Sequence, residues 1–125
     1  MRSALPRVFG AMTAAYGVSA LWTAAPLTRH AELGDPANPP AAARLLSVTF
    51  GVRDLISGVT IVAAPSGRPM QTALAARVVI DAGDALGFAL LAPTRSARVK
   101  IGAIAGVWAA VGALALVAER GSSDE

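Results

Sequence analysis

Residues 77–91 read RVVIDAGDALGFALL, one arginine and two aspartates inside a run otherwise apolar enough to cross a bilayer. No other feature constrains the fold as tightly, because a charge at the centre of a membrane helix costs on the order of 3 kcal/mol. Hydrocarbon tolerates such a segment only when its charges turn away from lipid and meet partners. At about 100° per residue, Arg77, Asp81 and Asp84 fall at roughly 0°, 40° and −20°, with Phe88 at about 20°. The three charges therefore share one helix face, and that face must look inward.

The membrane frame comes from the rest of the chain. Hydrophobic residues make up 54% of the 125 positions and charged ones 15%, more apolar than a soluble domain of this size usually is. Four apolar blocks stand out at 8–27, 45–64, 71–92 and 101–118; the first and last carry no charge over 20 and 18 residues. Those lengths suffice to span about 30 Å of hydrocarbon as helix. Gly34, Pro36, Pro39 and Pro40, then PSGRP at 65–69 and PTRSAR at 93–98, punctuate the gaps. Short connections join antiparallel neighbours. The expectation is an all-α integral membrane four-helix bundle in a single domain over 1–125. It runs up-down-up-down, with both termini on the same side and a short polar tail at 119–125. Arg2 and Arg7 ahead of the first block, with Val18-Ser19-Ala20 as a cleavage-like site, resemble a secretory signal. The apolar run continues to Leu27, however, which reads as a retained anchor. Arginine outnumbers lysine ten to one, a usage suited to a bacterium of high GC content, and the expected location is the bacterial inner membrane, multi-pass.

Composition also removes function classes. The chain has no cysteine, which excludes disulfides, thiol chemistry and cysteine metal sites. Its 11 basic residues are scattered singly and form no basic stripe, so nucleic acid is not an expected partner. Arg2, Arg7, Arg68 and Arg120 on one side nearly balance Arg29, Arg44, Arg95, Arg98 and Lys100 on the other, and the positive-inside rule leaves orientation open.

Polar residues recur on the other helices. Thr49, Arg53, Ser57 and Thr60 form a stripe on the second, with Asp54 and Gly58 about 100° away. Thr13, Tyr16, Ser19 and Thr23 share an arc of the first. With a rise of about 1.5 Å per residue, Arg53 and Asp84 lie level, each roughly 12 Å from the side where Leu45 and Ala92 sit. This predicts an interhelical Arg53–Asp84 pair and an Arg77–Asp81 contact within the third helix. Two arginines balance only two of Asp54, Asp81 and Asp84. The third carboxylate, assigned to Asp54 on charge count and depth, should be protonated or hold a cation or a substrate amine.

Weaker signals complete the reading. DAGD at 81–84 resembles the first half of the CDP-alcohol phosphotransferase signature but departs from it at Ala85 and at Phe88-Ala89, and no later Asp pair follows. Neither a metal nor another cofactor is expected. His30 reads as a solvent-exposed loop residue. Gly83 with Gly87 and Gly102 with Gly106 are GxxxG pairs suited to close helix packing, and Gly51 and Gly58 are further helix-packing candidates. Trp108, mid-span, should turn inward, and Trp22 should anchor at an interface.

FGVRDLISGVTIV at 50–62 followed by ARVVIDAGDALGFALL at 76–91 resembles a pattern, G-[VI]-R-[DE]-x-x-x-G then R-V-x-x-D-x-x-D, of small four-span bacterial membrane proteins of unknown function, themselves similar to DoxX-like bundles. The pattern falls on Gly51, Arg53, Asp54, Gly58, Arg77, Asp81 and Asp84, with Asp54 where many members have Glu. The resemblance implies the fold and coincident polar positions but no activity. Two roles follow from the residues. The cluster of Arg53, Asp54, Arg77, Asp81 and Asp84, supported by Tyr16, Thr49, Ser57 and Thr60, lines a polar pocket for a proton, ion, lipid or small ligand. Alternatively it is interhelical glue in an accessory subunit whose partner is another membrane protein or a second copy. An enzyme is the less favoured reading, because no nucleophile stands beside the acids. Three charges cost the third block roughly 9 kcal/mol, against about 3 returned by its large apolar residues. An isolated 71–92 segment is therefore expected to stay uninserted in a translocation assay, and efficient insertion would remove the motive for pairing.

Overall fold

The computed structural model describes residues 4–124, which form five α-helices and no β-strand: α1 (Ala4–Trp22), α2 (Ala25–His30), α3 (Ala41–Ala63), α4 (Arg68–Leu91) and α5 (Arg95–Ser123). Arg2, counted above for orientation, lies outside the described residues. Four of the helices are long, as the blocks predict, but their bounds differ from the blocks in informative ways.

The first block is helical only to Trp22. Pro26 has no N–H to continue the ladder, and its ring would collide with the carbonyl four residues back. The chain bends there instead, with Thr23 Oγ1 accepting the Ala25 N–H at 3.2 Å, and resumes as the short α2. In α5 the opposite happens. Thr94 caps the helix by accepting the Ala97 N–H at 3.0 Å, so the helix starts at Arg95 and most of PTRSAR is helical rather than loop. The same helix runs on to Ser123, and the expected tail at 119–125 is helix over most of its length. In α4, Pro69 sits in the first turn, where its missing N–H costs nothing.

The helices associate as two tight pairs, α1 with α3 and α4 with α5, which meet each other more sparingly. Four glycines set the first pair. A Cβ at Gly17 would come within 2.5 Å of the Leu55 N, and one at Gly58 within 2.5 Å of the Gly10 O; Gly10 and Gly51 leave as little room. Gly10 and Gly17, like Gly51 and Gly58, are two helical turns apart, so each pair presents one bare strip on which the antiparallel partner's backbone lies. The GxxxG pairs behave differently. Around Gly83, Gly87 and Gly106 no atom lies within 4 Å of where a Cβ would be, and at Gly102 the nearest is an ordinary 3.6 Å. None of these glycines makes a close crossing: Gly83, Gly87 and Gly106 face open space, and Gly102 meets Ala85 and Ala89 of α4 at ordinary contact distance.

Where α1 begins and α3 ends, Phe9, Ile61, Met70, Leu74 and Ala115 form the apolar core, with Trp108 packed against it. Arg7 donates to the terminal carbonyls of α3, those of Val62 and Ala64, the latter at 3.2 Å, placing a cation where the helix dipole favours one. Glu119, 1% exposed, accepts the N–H of Gly67 at 2.7 Å, which precedes α4 with a φ of 96°. Sequence reasoning placed Glu119 in a solvated tail and missed this tie. At the opposite end Ser47 Oγ donates to the Ala20 carbonyl at 2.8 Å, Arg98 Nε to the Ala92 carbonyl at 2.8 Å, and Lys100 pairs with Glu32 at 3.3 Å. Hydrogen bonding from Ser96, joined by Thr94 and Lys100, holds the Glu32 carboxyl below its ordinary pKa despite the opposing effect of burial.

Many of the large apolar side chains outside this core point outward. On α3 they are Leu45, Val48, Val52, Ile56, Val59 and Val62, a stripe at helical spacing; α1, α4 and α5 carry similar ones. Two helices, α3 and residues 95–122 of α5, are long and apolar enough to cross a membrane. The fourfold expectation is met at this level by those two only. In α4 the internal charges lower the hydropathy, and α1 is shortened by its break.

The glycine geometry gives a contrast. Gly58→Ala should lower the thermal stability of the purified protein by about 1–3 kcal/mol, because backbone must give way. Gly87→Ala should leave it unchanged or raise it by up to about 1 kcal/mol through helix propensity. Equal effects at the two positions would contradict the crossing described.

Candidate functional site

The inner face of α3 runs through Ser47, Gly51, Asp54, Gly58 and Ile61, all buried. Asp54 is thus aimed at the middle of the bundle, with Arg53 beside it at the margin. On α4 the buried residues are Met70, Leu74, Arg77 and Asp81, so that Arg77 and Asp81 face the same space one turn apart.

These side chains form one continuous chain of alternating charge. Arg53 embraces Asp84 with NH1 to Oδ1 at 3.1 Å and NH2 to Oδ2 at 2.7 Å. Its Nε and NH2 also donate to Asp54 Oδ1, at 3.2 and 3.1 Å. The same Oδ1 accepts Arg77 NH1 at 2.6 Å, and Arg77 grips Asp81 with Nε at 2.9 Å and NH2 at 2.5 Å. The order is Asp84, Arg53, Asp54, Arg77, Asp81. Both arginines grip a carboxylate in the two-pronged manner that suits a planar guanidinium, and Asp54 bridges them. Burial grades along the chain: the Arg77 and Asp81 side chains are 2% and 3% exposed, those of Arg53 and Asp84 28% and 24%.

The more open end faces a cavity of about 160 Å³. One wall carries the five charged residues, and Phe50, Phe88, Trp108, Ile101, Ile104 and Ala105 form the apolar walls; Tyr16, Leu27 and His30 complete the lining. The Arg53 guanidinium lies 4.7 Å over the Phe50 ring, and Phe50 in turn meets Phe88 with centroids 6.0 Å apart. Trp108 is steadied by Phe9 at a centroid distance of 5.6 Å.

The Arg53–Asp84 pair and the Arg77–Asp81 contact lie where the helical spacing predicts them. Asp54 is not the leftover carboxylate: it sits at the centre and touches both arginines, while Asp81 and Asp84 are the ends of the chain. The polar stripe of α3 was read about one residue out of phase. Thr49 and Thr60 are exposed on the outer face, their hydroxyls donating to the Leu45 and Ile56 carbonyls at 2.9 and 2.7 Å, and Ser57 is half-buried outside the cavity lining. A threonine can face away from polar partners because its own helix satisfies it. Of the arc on α1, Tyr16 reaches the cavity, Ser19 and Thr23 are exposed, and Thr13 is fully buried, its hydroxyl the one buried side-chain polar atom without a partner among the described residues. His30 is a lining residue rather than a solvated loop, since α2 folds it over the cavity. Only its proximity to Pro26 and the bend that proline imposes could have signalled this. Among the described residues no three His, Asp or Glu side chains are grouped to hold a metal ion, because guanidinium groups separate the carboxylates.

Removing Arg77 would take from buried Asp81 the guanidinium that grips it and leave Asp54 with Arg53 alone. Arg77→Ala should cost about 3–5 kcal/mol of stability. Arg77→Lys should recover little, since one ammonium cannot make the two-pronged grip on Asp81 while reaching Asp54. Thermal denaturation of both variants checks this, and a lysine variant as stable as the parent would refute it. No protein-family model, curated protein or solved structure matches the chain, so the functional reading rests on this geometry.

Proposed function

We propose that this chain is a multi-pass protein of the bacterial inner membrane, four long helices crossing the bilayer, and that its Arg/Asp network lines a pocket for a small ligand. The observation that carries the reading is the inside-out distribution of polarity. Every charge in the middle of the long helices belongs to the interior network, while the outer surface at that level is apolar. Only 28% and 17% of the apolar windows of α3 and α5 are buried within the protein, the reverse of core helices in a soluble fold. An apolar surface of this extent needs a partner, and lipid is the simplest.

Binding is favoured over chemistry because the lining offers no Ser, Thr, Cys or Lys nucleophile. It is favoured over purely structural pairing because an aromatic-walled cavity opens beside the network, a space that glue alone does not require. The absence of cysteine makes the test direct. In bacterial membranes the protein should resist carbonate extraction. Ala105→Cys, on the cavity wall, should react with a small cationic thiosulfonate reagent, whereas Val52→Cys on the outer face should not. Carbonate-soluble protein would sink the membrane assignment, and an unreactive Ala105→Cys would sink the pocket.

One observation favours a second reading, an accessory subunit. Gly102 and Gly106 of α5 line a shallow groove with Ala82, Ala85, Ala89 and Ala103, a surface of small residues on which another helix could approach closely. Under that reading Ala103→Cys cross-links to a neighbouring protein in native membranes, and Ala105→Cys is inert.

A further inference from the structure

We infer that the pocket takes a small organic monocation, an alkylammonium whose charged head sits at Asp84 and whose apolar body lies against Phe50, Phe88 and Trp108. This rests on the pocket reading above and names its ligand class.

Three observations converge. The first is charge: with three carboxylates and two guanidinium groups the network carries a formal charge of −1, so a monocation completes it and a neutral molecule or an anion does not. The second is the use of donors. All three nitrogens of Arg53 and all three of Arg77 already donate to Asp54, Asp81 or Asp84, which leaves little hydrogen-bonding capacity for an anion. Carboxylate oxygens have lone pairs to spare. Both terminal carboxylates line the cavity, but Asp84 is the partly open one, 24% exposed, whereas Asp81 is 3% exposed and gripped on both oxygens by Arg77. The third is the walls: Phe88 and Trp108, with Phe50 beneath the Arg53 guanidinium, line the cavity with aromatic side chains that accommodate a hydrocarbon body. The cavity volume, about 160 Å³, suits a molecule of a few heavy atoms rather than a lipid. A divalent metal ion is the poorer fit, since the carboxylates do not converge.

Trp108 provides a reporter. The chain has two tryptophans, and Trp22 is 89% exposed and remote from the cavity lining, so Trp22→Phe leaves the cavity tryptophan alone to report binding. The Trp22→Phe protein, purified intact in detergent at about pH 8 where an ordinary imidazole is neutral, is titrated with n-butylammonium, butyrate and n-butanol, which share one hydrocarbon body. A saturable fluorescence change is expected with butylammonium, with at least tenfold weaker responses to butyrate and butanol. Asp84→Asn removes the surplus charge and leaves two arginines against two aspartates. That variant should keep its thermal stability and lose butylammonium affinity at least tenfold. Saturable binding of butyrate or butanol at an affinity equal to that of butylammonium overturns the cation assignment and leaves the pocket standing. Undiminished butylammonium binding by a folded Asp84→Asn protein overturns it as well. Saturation by none of the three overturns this inference together with the pocket reading.

Discussion

Asp54 Oδ1 is the point on which the interior depends. It accepts from Arg53 on its own helix and from Arg77 across the bundle, at 3.1 and 2.6 Å, and so joins two ion pairs into one network. A buried ion pair repays its desolvation only when the remaining hydrogen-bonding capacity is also met. Here each guanidinium satisfies two carboxylates, and these groups tie α3 to α4 alongside the Phe50–Phe88 ring contact. The α1–α3 and α4–α5 contacts can then be conventional, built from bare glycine strips and small side chains, because polar specificity is concentrated in one place.

The same concentration sets the character of the cavity. Buried Arg77 and Asp81 lock one end of the network, and partly open Arg53 and Asp84 form the other, against aromatic walls. A network sealed along its whole length would have no face to offer a ligand. One open along its length would be loosened by water, since guanidinium–carboxylate pairs weaken as the local dielectric rises.

What the sequence discloses and what it hides differ by physical cause. The alignment of Arg77, Asp81 and Asp84 is legible because it follows from helical spacing, and the Arg53–Asp84 pair because two antiparallel helices of similar length place those residues level. The phase of α3 is hidden. Thr49 and Thr60 look polar in a string of letters, yet their hydroxyls are spent on their own backbone, and the true inner face is marked by Gly51 and Gly58 rather than by polarity. The partners of those glycines, Gly10 and Gly17, are seven residues apart, a spacing that the familiar four-residue motif overlooks, while the familiar motif at Gly83, Gly87, Gly102 and Gly106 makes no close helix crossing. Glu119 and His30 were misplaced for one reason: apolar blocks mark where a segment is greasy, not where its helix ends.

The distribution of charge between α3 and α4 bears on how such a chain could be made. In α3, Arg53 lies next to Asp54 and donates to it at 3.2 Å, so the segment carries its own neutralisation. In α4, Arg77 is taken by Asp81, and Asp84 has no cation on its own helix within reach of the network. The chain emerges with α3 ahead of α4. In the proposed membrane setting, the arginine that Asp84 needs is therefore already waiting when α4 arrives, and the linear order of the segments doubles as an order of assembly.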